Sequence, residues 1–381
     1  MEVDLAMAVQ KVDLQMPDIE KELSRLWDVR KKEHLAKACL FTLIIYANDK
    51  RRVNYLQELV DSILDKFPCR ILFIQSEKES DSSYFRVNVS NVSSGQQAFS
   101  SSGVSCDQII IETSHDQLFR VPFLVLPYIV PDLPLYLLWG QNPFEEKDIF
   151  PHVQRYARRV IFDSECADDL KLFCKEMLTN LDILKMDIMD VNWALVSNWR
   201  DVISELFDTP DKLENLKACK SLVIQYNCLK TETNLHPEMR ALYLQGWLAS
   251  ALNWKYQNIE HFETSTILSY YSSLHPVIIG LHPQEIPNLP QGAITSIEII
   301  TSTDHTYSIT RRDNLPQVSV HISSRNTCEL PFYLSLPNIH KGLTFMREIF
   351  FGSLGSHYRE TLKAIAQINF DSLCKTKGSI R

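Results

Sequence analysis

Apolar positions recur along this chain at two different spacings, and the changes from one to the other predict its elements. Ile19, Leu23, Leu26 and Trp27 form a stripe at helical spacing, so a leading helix is expected over 17–35, opened by Pro17-Asp18. Cys39 to Tyr46 is then almost continuously apolar over the length of a strand. The polar turn Asn48-Asp49-Lys50-Arg51-Arg52 leads into a helix whose buried face is Leu56, Leu59, Val60, Ile63, Leu64 and Phe67. Arg70–Ile74 is the next strand. A strand that lacks polar alternation is covered on both faces, so this strand–helix–strand pattern predicts a parallel sheet flanked by helices.

Residues 76–105 are rich in serine and carry one edge-strand candidate at 85–89. The alternating pattern resumes with strand 108–111, helix 117–129, strand 133–138, helix 147–157, strand 159–162, helix 166–178 and strand 187–191. A helix over 194–207 places Leu195, Trp199, Val202, Ile203 and Leu206 on one face. Strand 221–226 follows, then a helix over 236–254 that is apolar nearly all round and so buried on several sides. Gly246 in the middle of that helix costs about 1 kcal/mol against alanine, which a close approach of another helix would offset. Beyond residue 280 the character changes: Pro283, Pro287 and Pro290 mark a connector, and 293–302, 305–311 and 317–322 read as a small antiparallel sheet. Helices over 340–351 and 355–369 close the pattern.

The expected fold class is therefore α/β, with mostly parallel sheet units flanked by helices, Rossmann-like but lacking a dinucleotide fingerprint, plus a small C-terminal α+β domain with antiparallel strands. The expected division is a helical segment over 1–35, a first α/β domain over 36–214 and a second domain over 215–381, with a proline-rich connector near 281–292.

Composition narrows the function. At 381 residues the chain is too long for one simple core, and 45% hydrophobic with 23% charged residues is ordinary for a globular protein. A net charge of -8 argues against non-specific binding to nucleic acid or to an anionic membrane, both of which need a basic excess. Nine cysteines, none in a C-x-x-C, and no secretory signal point to the reduced thiols of a cytoplasmic protein. Cys166 with Cys174, or Cys219 with Cys228, stays open as a redox pair. The apolar run Val121–Trp139 has the look of a membrane span, but four prolines and Asp132 within it favour a short buried helix turning into a buried strand.

The usual catalytic signatures are absent: no G-x-G-x-x-G, no Walker A loop, no G-x-S-x-G elbow, no H-E-x-x-H and no cysteine–histidine zinc set. Ten glycines in the whole chain leave few for close approach to a pyrophosphate. His275-Pro276 and His282-Pro283 read as loop histidines. No catalytic, cofactor-binding or metal-binding residue is assigned. Lys50, Arg51 and Arg52 are the candidates for meeting an anion, since they sit at a turn from a buried strand into a helix. Asp163 is placed to cap the helix behind it. Asp132 could pair with Arg159 or cap a turn. Trp199 reads as core, whereas Arg200 points elsewhere and suits contact with another chain.

Several of these segments, in order, resemble the OpcA family, the glucose-6-phosphate dehydrogenase assembly proteins. They are Ile19-Glu20-Lys21-Glu22-Leu23 with Trp27, Leu43-Ile44-Ile45, and Phe67-Pro68-Cys69-Arg70-Ile71. Leu126-Pro127, Pro131-Asp132-Leu133-Pro134-Leu135 with Trp139, and Arg158-Arg159-Val160-Ile161 with Asp163-Ser164 follow. Asp190, Trp193, Trp199-Arg200 and Gly246-Trp247-Leu248-Ala249 complete the series with Leu354-Gly355 and Tyr358. The chain departs from the family pattern at Leu138, Cys69 and Asn192. The resemblance implies a non-catalytic partner and allosteric activator of glucose-6-phosphate dehydrogenase, at the entry to the oxidative pentose phosphate pathway. The matching Asp132, Trp139, Arg159, Asp163, Asp190, Trp193, Trp199, Arg200, Gly246 and Trp247 are then the candidate interface or family-motif residues. The alternative is a sugar-phosphate-binding enzyme or sensor that uses the turn at 48–52.

Overall fold

The computed structural model describes residues 16–32, 36–64, 66–78, 80, 82–94, 104–143, 149–182, 187–229, 236–262, 265–312, 315–337, 346 and 356–370. The chain divides into two compact units, the first running to Phe162 and the second taking up at Asp163. That division falls ahead of the boundary expected at 214/215.

The first unit contains α1 (Met16–Lys32), β1 (Ala36–Lys37), β2 (Thr42–Ala47), α2 (Lys50–Leu64), β3 (Arg70–Glu77), β4 (Phe85–Ser94) and β5 (Val104–Ser114). It continues through α3 (Val121–Val125), β6 (Leu135–Trp139), α4 (Phe150–Val153) and β7 (Arg159–Phe162). The strands lie in the order β4-β5-β3-β2-β6-β7, with β1 beside the start of β5. All neighbours run parallel except β4 against β5. Strands β2 and β6 are buried at every position, as their unbroken apolar runs require. Strand β4 runs over ten residues and closes the outer edge of β5, so the serine-rich stretch supplies more of the sheet than an edge strand at 85–89 would. The apolar run before β6 is not one helix. Pro122 and Pro127 each open a new short segment, and α3 lies between two 3-10 turns. Asp107, almost fully buried, ties the first unit together by accepting from the indole of Trp27 at 2.6 Å and from Arg70 at 2.5 Å.

The second unit contains α5 (Leu170–Asp182), β8 (Ile188–Asp190), α6 (Val191–Leu195), α7 (Ser197–Leu206), α8 (Pro210–Lys217), β9 (Cys219–Asn227) and α9 (Met239–Ala251). Then come β10 (Lys255–Phe262), β11 (Ser265–Tyr271), β12 (Pro276–Gln284), β13 (Ile294–Thr301), β14 (Thr306–Arg311), β15 (Gln317–Ser323), β16 (Phe332–Ser335) and α10 (Ser356–Ala366). The small antiparallel sheet expected near the C-terminus is larger than expected: it is part of one eight-stranded sheet, ordered β10-β11-β12-β9-β13-β14-β15-β16. Only β9 and β12 pair in parallel. Strand β12 runs through Pro283, so the connector begins after Gln284. The helix expected over 194–207 is two, because Val196 leaves helical geometry with φ -91° and ψ 0°. The helix expected over 340–351 lies outside the described residues, apart from position 346.

One face of this sheet is core, formed by Leu222, Ile224, Leu268, Tyr270, Ile279, Ile297, Ile309 and Val320. Helix α9 is buried almost all round, and α10 packs against it and against α5. The close approach implied by Gly246 is to α10: a Cβ there would stand 2.9 Å from Cγ1 of Ile365. Among the described residues the opposite face of the sheet is left open at Phe262, Tyr271, Ile278 and Tyr333, all exposed.

Candidate functional site

Asp163, Asp190 and Trp193, with Arg200 on the Trp193 ring, come together at the end of β8. Asp190 closes that strand and caps α6, with Oδ1 accepting from the backbone N–H of Asn192 at 2.7 Å and of Trp193 at 3.1 Å. Ser164 donates its backbone N–H to Oδ2 at 2.8 Å and its hydroxyl to Oδ1 at 3.1 Å. Asp163 accepts from the N–H of Glu165 at 3.2 Å and from the side-chain amide of Asn192 at 3.1 Å. The capping expected of Asp163 is therefore present, and it serves the 3-10 turn Ser164–Cys166 rather than α5. Arg240 on α9 donates to Oδ1 of Asn192 at 3.3 Å and lies 3.6 Å from Glu165. Asp163, Ser164, Asp190 and Asn192 are wholly buried.

Burial, and then the neighbouring Asp163 carboxylate, push the Asp190 carboxyl up to about 8, against the lowering effect of the hydrogen bonds it accepts. The consequence for stability has a definite sign. As pH rises from about 4 toward 8, an unfolded chain releases this proton while the folded one keeps it, so stability falls with a slope approaching about 1.4 kcal/mol per pH unit. The stability advantage of wild type over Asp190→Asn, read from denaturant midpoints across that range, should shrink progressively as pH rises; a constant difference would contradict the assignment.

Beside the polar cluster lies an aromatic one. The Trp193 ring packs against Tyr358 at 5.4 Å and Tyr243 at 6.1 Å, and the Arg200 guanidinium sits 3.4 Å from its centroid. Arg200 thus turns away from the apolar face of α7 and onto the neighbouring tryptophan, leaving it half-buried. Trp199 is core, with Arg311 5.9 Å from its ring. Gly246 is buried and Trp247 half-buried. Arg240 and Tyr243 were not singled out as site residues from the sequence, whereas Ser164, Asn192 and Tyr358 entered only through the family resemblance. The available signal was the Asp190-x-Asn192 spacing, in which an N-cap carboxylate and the amide two residues on share one turn.

The first-unit candidates are spread out. Trp139 is fully buried between Tyr46, at 4.4 Å, and Phe150, at 5.0 Å. Arg159 is buried, whereas Asp132 is exposed on the turn before β6, and no ion pair joins the two among the described residues. In the turn at 48–52, Asp49 accepts the N–H of Arg51 at 2.8 Å and so lays a carboxylate on the start of α2. Lys50 pairs with Glu77 at 2.5 Å. Arg52 is buried, reaches the carbonyl of Gly140 at 3.4 Å and lies over the ring of Tyr55. A dinucleotide, which a sheet of this order implies, does not fit this turn: a carboxylate stands where a pyrophosphate would need free backbone N–H groups.

Among the described residues no group of three His, Cys, Asp or Glu is placed to hold a metal ion. No disulfide joins Cys166, Cys174, Cys219 or Cys228 among the described residues, and burial pushes the thiols of Cys174 and Cys219 up. The clustered side chains cap helix starts, hydrogen-bond to one another and stack. They organise the interior of the second unit.

These features define an α/β protein built on a Rossmann-order sheet with a second, mixed sheet. Solved structures bear the fold out at very low identity. KijD10, a 3-ketoreductase from Actinomadura kijaniata in complex with TDP-benzene and NADP, matches at TM-score 0.50 and 10% identity, over 87% of this chain and 96% of that one. A levoglucosan dehydrogenase in complex with NADH and L-sorbose matches at TM-score 0.50 and 8% identity, over 89% and 98%.

The family is more specific than the fold. Residues 60–177 match the OpcA domain described as the glucose-6-phosphate dehydrogenase subunit N-terminal domain, and 186–331 match its C-terminal domain. The chain belongs to the OpcA family. A Synechocystis relative named for OpcA of the OxPP cycle is 25% identical over 198 residues, 51% of this chain and 39% of the relative. One from Synechococcus elongatus is 26% identical over 199 residues, 52% of this chain and 42% of the relative. The chain thus spans about two fifths of the length of the curated relatives it matches.

Proposed function

We propose that this protein is a non-catalytic assembly factor and allosteric activator of glucose-6-phosphate dehydrogenase in the oxidative pentose phosphate pathway. The observation that carries this reading is that both halves of the chain match OpcA domains described as glucose-6-phosphate dehydrogenase subunit domains. The site is consistent with it, since its polar side chains are spent on capping and ion pairing. No described helix is long and apolar enough to cross a membrane.

Buried motif residues cannot touch a partner, so docking falls to the surface. The open sheet face offers apolar side chains amid polar ones, with Phe262 60%, Tyr271 49% and Ile278 43% exposed. To activate, the protein must bind the active form of the enzyme more tightly than the inactive one. A coupling of about 1–3 kcal/mol changes apparent substrate affinity roughly 5- to 150-fold. Adding the protein to the cognate dehydrogenase is therefore expected to lower its apparent KM. Ile278→Arg, on the open face, should abolish both the effect and co-elution while leaving the thermal midpoint of the isolated protein unchanged. Kinetics that stay constant at saturating protein would overturn the reading.

The sugar-phosphate alternative draws less support, because Lys50 is engaged by Glu77 and Asp49 already occupies the helix start.

A further inference from the structure

Two arginines of the second unit meet beside the polar cluster without a shared counter-charge. Arg240 stands in the first turn of α9, and Arg311 ends β14. Both reach the entry to β13. Nε of Arg311 donates to the carbonyl of Ile294 at 3.3 Å, and a Cβ on Gly292 would lie 3.5 Å from Nε of Arg240. The Arg240 side chain is 11% exposed and Arg311 is half-buried, so the pair is largely withdrawn from water yet reachable from it.

Three observations point to an anion. No carboxylate pairs with Arg311 among the described residues: it meets the Ile294 carbonyl, the Trp199 ring at 5.9 Å and the like charge of Arg240. Only its Nε has a hydrogen-bond acceptor there, which leaves both Nη groups to donate elsewhere. Burial, and then the charge of Arg240, hold its guanidinium below its ordinary value, a cost that a bound oxyanion would relieve. Arg240 is itself only partly answered. Its Nε goes to the amide oxygen of Asn192, and Glu165 lies 3.6 Å away, beyond hydrogen-bond distance. Glu238, just ahead of α9, lies 3.5 Å from His236. Finally, α9 has no acidic residue in its first turn and no side-chain cap, so the partial positive charge of its start adds to that of the arginines.

We propose that Arg240 and Arg311 bind a small oxyanion, the phosphate or carboxylate group of a metabolite, with the two Nη groups of Arg311 as its principal donors and Arg240 completing the contact. The planar guanidinium fork matches the paired oxygens of either group. The site rests on the second unit alone and not on the assembly reading, so either can fail without the other.

The test is calorimetric titration of the full chain, in low-salt buffer, with inorganic phosphate, succinate and potassium chloride at matched ionic strength, paired with hydrogen exchange on peptides spanning 239–244, 292–297 and 309–312. Saturable binding of phosphate or succinate, with protection confined to those peptides, is expected, and none with chloride. Tighter binding of phosphate identifies a phosphorylated metabolite as the source, and tighter binding of succinate identifies a carboxylate. Arg311→Gln should weaken binding at least about tenfold. Arg311→Lys and Arg240→Lys, which keep the charge and lose the fork, should each weaken it severalfold with unchanged circular dichroism. No saturable binding up to about 10 mM, an equal effect of chloride, affinity unaltered in the Arg311 variants, or protection elsewhere would each overturn the proposal.

Discussion

Asp190→Ala is expected to destabilise the second unit by about 3–5 kcal/mol, enough to unfold most of a marginally stable domain at physiological temperature. Three backbone N–H groups, of Ser164, Asn192 and Trp193, point at this one carboxyl group, as does the Ser164 hydroxyl. Removing the acceptor leaves all of them buried and unmatched, and each orphaned donor costs about 1–3 kcal/mol before relaxation. The damage should spread to the aromatic cluster, because the first turn of α6 sets the position of Trp193. Urea denaturation read through tryptophan fluorescence would show a large drop in midpoint. Asp190→Asn, which keeps the shape and one acceptor oxygen, should retain part of the stability. An alanine variant within about 1 kcal/mol of wild type would show that the cluster is not the keystone described here.

Gly246→Leu should cost more than about 3 kcal/mol, whereas Gly246→Ala should fall within about 1 kcal/mol of wild type. A Cβ at this position would meet Cγ1 of Ile365 at 2.9 Å and Cγ2 of Thr361 at 3.4 Å. Alanine forces Ile365 to shift, since 2.9 Å is closer than real Cβ contacts, and the helix propensity that it gains offsets much of that cost. Leucine instead needs space that only separating α9 from α10 provides. Thermal midpoints of the two variants test the contrast, and Ile365→Ala in the leucine background should recover part of the loss. Equal destabilisation by alanine and leucine would place the constraint in the backbone rather than in the helix–helix contact.

Much of the first unit was legible from sequence because its signals are local. Cys39–Tyr46 and the face running from Leu56 to Phe67 each announce their element within one window, and they fold as β2 and α2. The second unit hid more. Segments 255–262 and 265–271 pair with each other, and 265–271 also pairs with β12, where His282 lies in the strand although it reads as a loop histidine, while His275 does sit in the turn before it. A proline late in β12 is tolerated in the sheet, which no local rule foretells. The break at Val196 was equally invisible, since the stripe Leu195 to Leu206 is continuous on paper. It puts Trp193 and Trp199 on different helices with different surroundings.

The candidate site was legible as a set of residues and not as a place. Sequence order alone gave the membership: Asp163, Asp190, Trp193, Arg200 and Gly246 carry the family pattern, and their types say that they cap, stack or make room. Only the tertiary structure decided that Asp163 and Asp190 share one buried polar knot, that Arg200 lies on Trp193, and that the partner of Gly246 is Ile365. The physical reason is that propensity, capping and periodicity act over a few residues and are written in the local sequence. Which buried donor meets which acceptor across 26 to 48 positions depends on how whole elements pack, and packing is a property of the assembled chain.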